Sequence, residues 1–177
     1  MASLELEEQA NFTRLTRLLM DKGTEALRNL LHAIHPDGLP MVLSANELLL
    51  SKSRLRIIND HQWNLLYPPS GDPPDSTTFD INLLCHLLSN ICGLTSPVTG
   101  WNVTPILSDR STAANIVRIK LHRNVLFGRM SSAQVDTATF ERMWETISQA
   151  LIDLNIPRLE IDYLKTCPLD ARDERAR

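Results

Sequence analysis

Asp80-Ile81-Asn82-Leu83-Leu84-Cys85-His86-Leu87-Leu88-Ser89-Asn90-Ile91-Cys92-Gly93 is the stretch on which the fold reading turns. Ile81, Leu84, Cys85, Leu88, Ile91 and Cys92 recur at three- and four-residue spacing, which is one stripe of a helix. Asp80 supplies an N-terminal cap, and Gly93 sits where a C-terminal glycine belongs. Leu83, Leu87 and Leu94 widen the stripe, so this helix is expected to be central. Neither here nor elsewhere does apolar and polar alternation suggest a strand.

Downstream, Pro97, Gly100 and Pro105 predict a loop from Thr95 to Asp109, with Trp101 expected to pin it down. Helical spacing resumes from Ser111 to Phe127. Asp136 then caps a helix bearing Phe140, Met143, Trp144, Ile147, Leu151 and Leu154. Pro157 suits the first position of a short last helix, Arg158–Lys165. Upstream, Tyr67 to Asp75 holds four prolines and a glycine and reads as a rigid connector, not a domain boundary. Before it, Ser44-Ala45-Asn46-Glu47 has the form of a capping box, predicting a helix, in one or two pieces, through Leu55, Ile58, Trp63 and Leu66. The first helical segment carries Phe12, Leu15, Leu19, Ala26, Leu27, Leu30, Leu31 and Ile34. Lys22-Gly23 marks a kink or break in it, and His35-Pro36-Asp37-Gly38 stops it. The expected architecture is all-α: an antiparallel bundle of four main helices plus short ones. A single domain is expected over residues 1–168, with a flexible charged tail at 169–177.

With 177 residues, of which 18 are basic and 21 acidic, the chain has a formal net charge of −3. That excludes a globally basic nucleic-acid binder but leaves room for a local patch. No apolar run is long enough for a membrane span. The acidic MASLELEEQ start has no apolar stretch of the secretory kind, so a cytoplasmic protein is expected. Cys85, Cys92 and Cys167 have neither disulfide nor zinc spacing, and no metal or cofactor is expected. Glycine-rich phosphate loops, GxSxG and kinase signatures are missing.

The informative run is Ile116-Val117-Arg118-Ile119-Lys120-Leu121-His122-Arg123-Asn124-Val125-Leu126-Phe127-Gly128-Arg129. Arg118, Lys120, His122, Arg123 and Arg129 crowd positive charge onto an acidic chain. Basic residues late on a helix favour its dipole, which is one explanation. The other is a phosphate-facing patch, since a guanidinium fork matches phosphate geometry.

Around this run the sequence resembles the HEPN fold, and within it the domain type named after the DAZ-interacting zinc-finger ubiquitin ligase. The resemblance rests on Asn11-Phe12-Thr13-Arg14-Leu15, Leu27-Arg28, His35-Pro36, Trp63-Asn64-Leu65-Leu66-Tyr67-Pro68, Phe79-Asp80 and Leu83-Leu84. It continues through Asn90-Ile91-Cys92-Gly93-Leu94, Pro97-Val98-Thr99-Gly100-Trp101, Arg118-Ile119-Lys120, Arg123-Asn124, Gly128, and Phe140 with Trp144. It implies a helical bundle that pairs through the helix bearing Arg123. It also implies a place in multidomain proteins of the ubiquitin-ligase or NACHT-type innate-immune kind. Many members of the wider group are metal-independent RNases with an Arg, often Asn, and a later His at a cleft shared by two copies. In such chemistry His removes the proton of a 2′-hydroxyl while Arg neutralises the phosphate.

This chain departs from that pattern where it matters. Relatives of this type often read Arg-Asn, three residues, Gly, His. Here Arg129 follows Gly128 in the place of His. An arginine keeps its proton and cannot serve as a base, but it can grip phosphate. His122 points about 100° around the helix from Arg123 and would need a partner of its own. Arg28 with His35, and Arg54 with His61, repeat the gap in the wrong helices. The resemblance therefore implies a degenerate site of Arg123, Asn124 and Arg129 with no catalytic residue. RNA or phosphate contact is expected through Arg118, His122, Arg123, Asn124 and Arg129. The expected partners are a second copy, RNA and other protein domains. An endoribonuclease with a non-standard base and a purely protein-binding bundle stand as alternatives.

Overall fold

The computed structural model describes residues 2–54 and 56–169. Leu55, placed above in a helix, and Asp170–Arg177, nearly all of the expected tail, lie outside the described residues. In chain order the helices are α1 (Ala2–Arg17), α2 (Thr24–Ile34), α3 (Leu39–Ala45), α4 (Glu47–Ser51), α5 (Asp60–Leu66) and α6 (Ile81–Ile91). They continue as α7 (Thr112–Phe127), α8 (Thr137–Asp153) and α9 (Arg158–Thr166). The protein is all-α. Among the described residues the only β-type pairing is an isolated bridge between Arg54 and Ile58.

The expected break at Lys22-Gly23 is a π-helical segment, Leu18–Gly23, between α1 and α2. It buries Leu18, Leu19 and Gly23, so the widened turn is packed inside rather than left as a hinge. The side chains of Asp80, Ser111 and Asp136 accept hydrogen bonds from the backbone N–H groups of Leu83, Ala114 and Thr139, capping α6, α7 and α8. Gly93, just past α6, takes φ +69°, where a residue with a side chain is strained. Pro157 stands one residue earlier than expected, as the N-cap of α9.

The Ser44–Glu47 capping box does not form. Ser44 lies inside α3, which closes at Ala45, and α4 restarts after Asn46 without a side-chain cap. The box belongs to α5, where the Asn59 side chain accepts from Gln62 N–H and Gln62 Oε1 accepts from Asn59 N–H. Both sequences fit the pattern, but Pro40 at the head of α3 had already started a helix that absorbs Ser44.

The contacts gather into two compact units. One is residues 27–95. Here α6 buries Ile81, Leu83, Leu84, Cys85, Leu87 and Leu88 and exposes only Asn90, so the widened apolar stripe is inside. Gln62 donates to the Asp80 carboxylate at 3.1 Å, tying α5 to the cap of α6. Arg28, Arg54 and His35 have local partners. Arg28 donates to the Ser76 carbonyl, Arg54 lies over the Trp63 ring, and His35 Nε2 bonds the Ile91 carbonyl. The motif-like spacings of those arginines thus have structural explanations.

The other unit comprises residues up to 26 and from 96 onward. In it α7 packs on α1, α8 and the π segment, while α9 lies against α1 and α8. Ala113 through Ile119 are all buried, so the first half of α7 is covered on every side. Asn11 is also buried, and its amide donates to the Val135 carbonyl at 3.0 Å and Thr137 Oγ1 at 3.2 Å. This joins α1 to the start of α8.

Ser111 starts the helix that carries the candidate site. Ser111→Ala is expected to lower unfolding free energy by about 1 kcal/mol, and Ser111→Asp to retain most of it. Urea denaturation followed by circular dichroism measures both.

Candidate functional site

The residues of interest lie where α7 leaves the interior. Lys120 to Arg123 are half-buried, Asn124 and Val125 are exposed, and Leu126 turns back inside. The chain keeps winding past the helix end, with Gly128 N–H on the Asn124 carbonyl at 3.1 Å and Arg129 N–H on the Leu126 carbonyl at 3.0 Å. Gly128 itself has ordinary helical angles, φ −65° and ψ −18°.

Arg123 and Asn124 act as a pair. Arg123 donates to Asn124 Oδ1 at 3.1 Å, and its guanidinium carbon lies 3.5 Å from the centroid of the Phe127 ring. Residues four apart on a helix are neighbours, and stacking on an aromatic face fixes the plane of the guanidinium. The Arg-to-Phe spacing was readable from sequence, yet Phe127 was not singled out. Arg129 lies on the turn beyond α7 and is half-buried, and its side chain makes no hydrogen bond or ion pair among the described residues.

Arg118 is not on this surface. It is 9% exposed, and its guanidinium donates to Asn115 Oδ1 at 3.0 Å and to the Ile106 carbonyl at 2.9 Å. Reading it as RNA-facing followed from charge density along the sequence, but five residues along a helix is about 140° around it. The loop that Trp101 was expected to pin also takes polar contacts from α7. Arg118 takes Ile106, Lys120 donates to Asn102 Oδ1 at 2.9 Å, and Pro97 and Pro105 are buried, while Trp101 is half-buried.

The His122 ring is held by a main-chain carbonyl. Its Nδ1 lies 2.7 Å from the Arg118 carbonyl, which can only accept, so the proton sits on Nδ1 and Nε2 keeps the lone pair. Burial holds its pKa below the ordinary value. The Arg118 carbonyl bond opposes that shift, and the Arg118 charge adds to it. The ring is therefore neutral near pH 7.

Sequence reasoning missed the polar network beside Arg118. Arg110 pairs with Asp153 through its Nε at 3.0 Å and through its NH2. Gln149 and Asn115 donate to the same carboxylate at 3.0 and 3.3 Å. The Arg110 bond, followed by those of Gln149 and Asn115, holds Asp153 below the usual carboxylate range against the opposing effect of burial. No signal in one sequence marks Asn115 as buried, since a lone polar residue on a helix normally reads as exposed. No group of His, Cys, Asp and Glu side chains among the described residues could hold a metal ion. Nor is any described helix long and apolar enough to cross a membrane.

Residues 36–177 match the family model described as DZIP3/hRUL138-like HEPN. The chain is 29% identical over 168 residues to a human protein named E3 ubiquitin-protein ligase DZIP3, covering 90% of this chain and 14% of that protein. The mouse protein of the same name is 28% identical over the same length. This chain thus spans a small part of the curated relatives it matches. No solved structure matches it.

The lowered pKa of His122 makes stability depend on pH. As pH falls through about 6.5, the unfolded chain takes up the imidazole proton before the folded chain does. The contribution is present above that pH and drains away as pH falls toward the folded-state value. Urea midpoints should therefore drop further between about pH 7.5 and 5.5 for the wild type than for His122→Gln. Equal drops would show that His122 carries no such linkage.

Proposed function

Because the chain belongs to the DZIP3/hRUL138-like HEPN family, we propose that it is an interaction module which pairs with a second copy at the end of α7 and holds RNA there without cutting it. The observation that carries this reading is the way α7 emerges. Val125, Phe127 and Met130 are 48%, 41% and 53% exposed, and they stand among Arg123, Asn124 and Arg129. Apolar side chains at that exposure favour burial against a partner. In a two-fold pair each residue has its own copy across or near the axis. The arginines of both copies would then share one region, and like charges there are relieved by a polyanion. Arg129 adds to that grip and, being permanently protonated, supplies no base. On this reading the domain gives pairing and RNA contact to a longer protein of the ubiquitin-ligase or innate-immune kind, working in the cytoplasm.

One observation favours a second reading, an endoribonuclease with His122 as a non-standard base. The Arg118 carbonyl fixes the tautomer that leaves Nε2 able to accept a proton. Burial works against it by lowering the basicity of the ring. Labelled single-stranded RNA incubated with the protein and a chelator should stay intact. Cleavage lost in both Arg123→Ala and His122→Gln would establish the second reading instead.

Light scattering at micromolar concentration should give a dimer mass for the wild type in the presence of RNA and a monomer mass for Phe127→Asp with unchanged helicity. A wild type that stays monomeric with and without RNA contradicts the pairing. Single-stranded RNA affinity should fall steeply with salt, and Arg129→Ala should reduce the magnitude of the log–log slope by about 0.7, one phosphate's share.

A further inference from the structure

Arg118 carries a fixed charge into the interior, and both of its hydrogen-bonding partners are neutral. No carboxylate among the described residues forms a salt bridge with it. Asp109 lies within the reach of its field but makes its own hydrogen bond to Ser111 N–H. The nearby Asp153 carboxylate is spent on Arg110, Gln149 and Asn115. A buried guanidinium is costly unless a counter-charge and hydrogen bonds compensate it, and two neutral acceptors leave it under-compensated.

A cavity of about 330 Å³ opens on that side chain, walled by Leu107, Asn115, Thr146 and Gln149, with Arg110, Glu145 and the Arg110-paired Asp153 carboxylate also lining it. We propose that this cavity binds a small oxyanion, a carboxylate or a phosphate monoester, with the Arg118 fork as its anchor. A guanidinium presents parallel N–H donors that fit either group, and Arg118 still has donors beyond the two it uses. The volume is at the low end for ligand sites and suits a metabolite-sized molecule rather than a polynucleotide strand. Glu145, exposed along the wall, and Asp153 disfavour negative charge away from the Arg118 fork and favour a ligand whose other end donates hydrogen bonds, such as an ammonium or a hydroxyl. This site is separate from the α7 end, and it stands whether or not that end binds RNA.

The test is a titration of the full 177-residue chain, labelled with ¹⁵N, using sodium acetate, inorganic phosphate and, as a control, sodium chloride at matched ionic strength. Acetate or phosphate should give saturable shifts centred on Leu107, Asn115, Arg118 and Gln149, and chloride should not. The anion that saturates identifies a carboxylate or a phosphate ligand. Arg118→Lys, which keeps the charge and loses the fork, should weaken binding about tenfold. Thr146→Phe, which fills the cavity from its wall with Arg118 intact, should weaken it at least as much, and it decides the matter if Arg118→Lys fails to fold. Shifts that follow chloride, shifts confined to Arg123–Arg129, no shift with either anion, or binding unchanged in Thr146→Phe would each overturn the proposal.

Discussion

The complete burial of α7 between Ala113 and Ile119 is the constraint on which the rest depends. A helix covered on every side has no freedom to rotate or slide without opening voids, because interiors are packed as densely as crystals. Its far end is therefore aimed by its near end. Arg123, Asn124 and the Phe127 ring emerge at a fixed height and angle because Ile116, Val117 and Ile119 cannot move. The Ser111 cap and the Asn11 bonds to Val135 and Thr137 hold the neighbouring chain ends in place around this column.

One helix thus divides its labour along its length. In the buried half, Asn115 and Arg118 join α7 to the loop before it and to Asp153 at the end of α8. In the emergent half Arg123, half-buried, stacks on Phe127 beside the exposed Asn124. The carbonyl of Arg118 also holds His122, so the same residue ends the buried half with its side chain and steadies the emergent half with its backbone. Charge that looks continuous in sequence is separated in space into a buried Arg118 and a half-buried Arg123.

Much of the fold was legible because helix starts have a local chemistry. Asp80 and Asp136 precede apolar stripes and cap them, and the proline-rich run from Tyr67 excludes helix by itself. Ser44 misled because a capping box is a pattern of two residues, while Pro40 upstream decides where the helix begins. The candidate site was legible only in part. Arg123, half-buried, and Asn124, exposed, stand together, whereas Arg118 was invisible as a buried residue. A charged side chain raises no periodic signal for burial, and its neutral partners, Asn115 and a main-chain carbonyl, leave no mark in the sequence. The same blindness hid the pairing of Arg110 with Asp153, which lie 43 positions apart.

The central claim is that the emergent half of α7 keeps a phosphate-gripping arrangement and lacks only the group that would remove a proton. The most direct measurement is metal-independent cleavage of single-stranded RNA by Arg129→His, with Arg123→Ala added in a second variant. The account predicts that the single variant cuts, leaving cyclic phosphate ends, and that the double variant does not. An Arg129→His protein that folds, pairs and binds RNA yet leaves it whole would contradict it.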